Sequence, residues 1–85
     1  MPELSRFLGI VIAMYYRDHV PPHFHAIYGE HEATVNIATG EISGFLPKRA
    51  LAHVLEWRLL HQGELSTAWS LAQTQRALPK IEPLE

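Results

Sequence analysis

Residues 15 to 25 read YYRDHVPPHFH and gather three histidines, an aspartate, an arginine and two tyrosines around a double proline. Imidazole is the side chain that most readily moves a proton near neutral pH, and in its neutral form it is also a ligand for zinc and other late first-row metals. On a helix, the spacing H-x3-H-x-H would put His19 and His23 on one face, but Pro21 and Pro22 exclude a helix there. What survives is His23-x-His25 on a strand, with two imidazoles on one side of a sheet and His19 in the preceding loop able to fold back over them.

Three chemistries are open to such a group. His19, His23 and His25 could hold a divalent metal such as zinc, with Glu32 the nearest carboxylate on that face and Asp18 either a ligand or an orienting partner. Without a metal, His23 and His25 could work as an acid–base pair, one taking the proton of a ribose 2′-hydroxyl and the other protonating the leaving oxygen, with Asp18 or His19 orienting one ring. The third reading is structural: Asp18 accepts backbone N–H bonds in a turn that His19 caps, and the strand histidines are solvated.

Substrate contacts, if there are any, would come from whichever of Tyr15 and Tyr16 faces the histidines, and a phosphate would need Arg6, Arg17, Lys48 or Arg49. Trp57 and Trp69 fall in or beside helical apolar stripes and read as core. His31 reads as a packing residue, and His53 and His61 lie on helix flanks.

The elements that must position these groups follow from hydrophobic periodicity. Phe7 to Tyr16 (FLGIVIAMYY) is continuously apolar and predicts one buried strand. HFHAIYG and HEATVNIA are runs of strand length parted at Gly29-Glu30, and a turn at Thr39-Gly40 leads into EISGF. A two-residue Gly29-Glu30 turn sets Tyr28 against His31, Ala26 against Ala33, Phe24 against Val35, His25 against Thr34 and His23 against Asn36, which makes one face apolar and the other polar. A Thr39-Gly40 turn sets Ile37 against Ile42 and Asn36 against Ser43. Leu51, Val54, Leu55 and Leu59 then predict a helix from Pro47 that stops at Gly63, and Leu65, Ala68, Trp69 and Ala72 a second one to about Ala77.

The expected fold is therefore α+β: a small antiparallel meander of about four strands with two C-terminal helices packed on its apolar face, the histidine face left uncovered by the chain itself. Residues 1–77 form that single domain and residues 78–85 (LPKIEPLE) an extended tail. Ile27 and Phe45 on the open face argue that a second copy, the tail or a protein partner covers it.

At 85 residues the chain holds one modest core, and with no cysteine it has neither disulfides nor thiolate ligands, which suits a reducing, cytoplasmic setting. Its longest apolar run is about half of what a membrane span needs. Seven Lys and Arg against nine Asp and Glu argue against a general electrostatic grip on nucleic acid.

GIVIAMYYRDHVPPHFHAIYGEHEA, then LPKRAL with LEW and LH, a late Trp and a closing KIEPL together resemble a small bacterial family catalogued as a domain of unknown function, numbered 4160. The resemblance implies an arrangement similar to toxin–antitoxin pairs, in which a small protein partner and RNA cleavage become the expectations to weigh. It carries no catalytic residues with it.

Overall fold

The apolar run from Phe7 to Tyr16 is not a single strand, because a turn cuts it just after Phe7. In the computed structural model, which describes residues 2–85, β1 (Glu3–Phe7) turns at Leu8-Gly9 into β2 (Ile10–Ala13), with Phe7 paired to Ile10. Leu8 and Gly9 both have positive φ, 50° and 80°, as two-residue hairpin turns that match the strand twist require. Leu8 projects into solvent at the tip, so apolar residues run straight through the turn and hide it from a reading based on hydrophobicity.

The remaining strands are β3 (His23–Tyr28), β4 (His31–Asn36) and β5 (Ile42–Gly44), and the sheet is antiparallel in the order β1-β2-β3-β4-β5. Its five strands exceed the expected four by β1, which lies before the apolar run and shares only Phe7 with it. All five expected pairs between β3 and β4 are present, from Tyr28 with His31 to His23 with Asn36. The β4–β5 pairing differs: Ile42 faces Val35 rather than Ile37, and Ser43 faces Thr34 rather than Asn36. The cause is the Asn36 side chain, whose Oδ1 accepts N–H bonds from Ala38 and Thr39, both at 2.9 Å, and so builds a wider turn closed by Asn36 N–H to Glu41 O at 2.9 Å. A slip of two residues leaves every side chain on its expected face.

Pro47 precedes α1 (Lys48–Leu60), and α2 (Gln62–Gln73) follows after a break at His61. Gly63 is thus inside the second helix rather than the stop of the first, and α2 ends four residues before Ala77. Leu59 is exposed, while Ala50, Val54, Trp57 and Arg58 are the buried residues of α1. The stripe expected for α2, Leu65, Ala68, Trp69 and Ala72, is buried throughout.

The helices cover the sheet face that carries Phe24, Val35 and Ile37: Trp57 meets Phe24 edge-on at 5.8 Å between ring centres and Phe7 at 5.5 Å. Large side chains buried this fully contribute about 1.5–3 kcal/mol each by loss of apolar surface. Arg58 spans from α1 to the wide turn, donating from Nε to Ile37 O at 2.9 Å and from Nη2 to Ala38 O at 2.7 Å. Residues beyond α2 have no regular structure, yet Ile81 is buried, its N–H bonds Leu4 O at 2.8 Å, and Glu82 O accepts the Trp57 indole N–H at 2.8 Å. No helix among the described residues is long and apolar enough to cross a membrane.

Candidate metal centre on the open sheet face

Alternation along β3 puts Phe24 and Ala26 into the core and sends His23 and His25 to the other face. Cross-strand pairing extends that face into two rungs: Ala13, His25, Thr34 and Ser43 form one, and His23 and Asn36 begin the next. The β2–β3 loop folds back over the rungs and is anchored to α2, where Arg17 N–H bonds Ala72 O at 3.2 Å and the Gln73 amide donates to Asp18 O at 3.1 Å. This anchoring brings Asp18 over both imidazoles.

Asp18 Oδ2 lies 2.9 Å from His23 Nε2 and 3.5 Å from His25 Nε2. On their far sides the rings are equally committed: His23 Nδ1 is 2.7 Å from Pro21 O, and His25 Nδ1 is 2.9 Å from Glu32 Oε2. A carbonyl or carboxylate facing Nδ1 takes the proton there, so Nε2 of a protonated ring donates to Asp18 Oδ2 and Nε2 of a neutral ring turns a lone pair toward it. With both rings neutral, lone pairs from three atoms converge, and a metal ion can take the place that the protons otherwise fill. Ligands about 2.0–2.2 Å from a tetrahedral zinc ion sit about 3.3–3.6 Å apart, so the 3.5 Å from Asp18 to His25 is already a ligand-shell separation, and the 2.9 Å hydrogen bond to His23 would have to open by about 0.4 Å.

The Asp18, His23 and His25 ligand atoms lie within 4.8 Å of one another. The three side chains are 16%, 14% and 13% exposed, shielded but reachable. Partial burial pushes the Asp18 carboxyl up, but the His19 N–H, the hydrogen bond from His25, and the charge and hydrogen bond of His23 together outweigh it and hold the carboxyl below its ordinary value.

The other candidates are placed as follows. The His19 ring is 93% exposed, with Nδ1 3.4 Å from Asp18 Oδ1, so the expected His19–His23–His25 set is not brought together; Asp18 stands where His19 was expected. The reason is that Asp18 takes the His19 backbone N–H at 2.9 Å, which turns the carboxylate inward and the next side chain outward. Tyr15 is the tyrosine that faces the histidines, its ring edge-on to His25 at 4.4 Å between centres, and both tyrosines are partly open to solvent. The Arg17 side chain is exposed, and its backbone does the anchoring.

Lys48 and Arg49 are the first two residues of α1, and neither lines the groove beside the cluster. Arg49 lines a cavity with Leu8, Tyr28 and His53 at the opposite end of β3. Phe45 packs edge-on to His31 at 5.2 Å and is largely exposed. Trp69, which the periodicity assigned wholly to core, also stands 5.3 Å from the His23 ring and walls that side of the cluster. No local sequence signal marks this contact, because it is made between the start of β3 and a helix distant in the chain.

The family model described as Domain of unknown function (DUF4160) matches residues 9–70. The chain belongs to the DUF4160 family. The match spans β2 to most of α2 and includes Asp18, His23, His25 and Glu32. No curated protein and no solved structure matches the chain.

Proposed function

We propose that this DUF4160 protein is a small metalloprotein that holds a divalent ion, zinc or a similar late first-row metal, on Asp18, His23 and His25. The observation that supports this most directly is the orientation of the two imidazoles: each Nδ1 faces an oxygen acceptor and each Nε2 faces Asp18 Oδ2. Glu32 and Pro21 O would then orient the ligating rings, the role that hydrogen-bonded partners play around metal-bound histidine. Three protein ligands leave coordination positions for a water or a substrate, the composition of a reactive site rather than a closed structural one.

Metal-free acid–base cleavage of RNA uses the same two rings but is less well supported, since every nitrogen of both rings already faces a protein oxygen and Arg49 lies elsewhere. A role beside a small protein partner, in a toxin–antitoxin-like pair or as a homo-oligomer, is compatible with the metal centre. Its support is the sheet face without a helical layer, where Val11 and Ile27 are only half-buried.

Titration of tag-free, chelator-treated protein with zinc or cobalt tests the metal reading. The expected result is saturation at about one equivalent, with a cobalt absorption band typical of nitrogen and oxygen ligands. Absence of uptake would return the cluster to a hydrogen-bonded histidine pair.

A further inference from the structure

A groove of about 470 Å³ adjoins the cluster and shares His23 with it. Thr34 and Ser43, which continue the His25 rung, and Asn36, which continues the His23 rung, supply its floor. Val20, Pro21 and Ile42 give it an apolar wall. The volume is within the range of small-ligand sites, about 300–1,000 Å³.

The fixed charge around this groove is negative. Glu41 lines it, Asp18 and Glu32 flank it through the histidines, and the lining holds no Lys or Arg among the described residues, its other titratable groups being the imidazoles of His19 and His23. Arg58, the guanidinium bonded to the adjoining turn, is buried on the helical side and donates from Nε and Nη2 to Ile37 O and Ala38 O. Three carboxylates more than offset the charge of one divalent ion, so an incoming phosphodiester meets a field that repels it, while neutral carbonyl, amide and hydroxyl groups find polar partners along the floor.

Building on the metal reading above, we infer that the groove selects an uncharged, hydrogen-bonding ligand that offers the metal an oxygen atom, and that it excludes phosphate esters. Glu41 is the specificity-determining residue. Its side chain is exposed and makes no contact with the cluster, so it can be replaced without disturbing the metal ligands.

The test uses full-length, cobalt-loaded protein and its visible absorption band, with acetamide as the uncharged probe and dimethyl phosphate as the anionic one. The wild type should respond saturably to acetamide and not to dimethyl phosphate. Glu41→Lys should strengthen dimethyl phosphate binding by at least about tenfold while leaving the acetamide affinity within about twofold. Saturable dimethyl phosphate binding by the wild type, or a Glu41→Lys protein that treats both probes as the wild type does, would overturn the inference while leaving the metal centre standing. Failure to take up cobalt at all would overturn both.

Discussion

The two faces of β3 belong to one six-residue strand and live under different rules. Phe24 and Ala26 are without solvent exposure beneath the helices, and the neighbours of Phe24 are rings and aliphatic carbons. His23 and His25, one residue away on either side of Phe24, are held by carboxylates and a carbonyl under a loop rather than a helical layer. The contrast teaches that a period of two lets a small sheet keep its stability and its chemistry on alternate residues, each alterable with little effect on the other.

The sharpest way to break that division is to measure it. Phe24→Ala or Trp57→Ala should cost about 3–5 kcal/mol in urea denaturation, a large part of the stability of a domain this size, whereas His25→Ala in metal-free protein should cost less than about 1 kcal/mol. Comparable losses on the two faces would refute the division. Next in size, Asp18→Asn, His23→Ala and His25→Ala should each weaken zinc or cobalt binding by at least about a hundredfold in a competition titration, against no change for His19→Ala. A large effect of His19→Ala would restore the three-histidine set.

Glu32→Gln keeps the shape but weakens the hold on His25 Nδ1, and it should lower metal affinity by about 10- to 100-fold. An unchanged affinity would make that carboxylate a bystander. The smallest effect concerns acid. Asp18 has a folded-state value below the ordinary 3.8, so its contribution to the stability of the metal-free protein is present above the unfolded value. That contribution is lost as pH falls through the lowered one, where the unfolded chain binds the extra proton. Unfolding midpoints measured downward from about pH 5 should therefore fall less steeply in Asp18→Asn than in the wild type. Parallel slopes would mean that the hydrogen bonds to Asp18 do not persist in solution.

Legibility in the sequence is uneven for physical reasons. The β3–β4 register can be read because Gly29-Glu30 allows a tight turn and only one pairing separates Ala33 and Val35 from the histidines. Where a side chain replaces the backbone as turn-maker, at Asn36, the pairing comes out two residues away, and where apolar residues cross a turn, at Leu8, the turn stays hidden and with it the strand that precedes it. The helix break at His61 rather than Gly63 shows that glycine permits a stop without compelling one.

The same limit governs the site. Facing of His23 and His25 follows from alternation, but the exchange of His19 for Asp18 depends on a loop whose course is set by Ala72 and Gln73, more than fifty positions downstream. Arg58 is equally hidden. A buried guanidinium looks like any solvated arginine in the sequence, because only the folded chain brings the carbonyls of Ile37 and Ala38 within reach of its donors.

The indole of Trp57 is at once the centre of the apolar layer and the donor to Glu82 O, which makes it a natural reporter for the last residues of the chain. Peeling that strap away would wet the ring and strip its N–H of an acceptor, so its fluorescence should redden before the sheet itself gives way. A fusion or truncation that disturbs Ile81 therefore acts on the middle of the molecule, however peripheral it looks in the sequence.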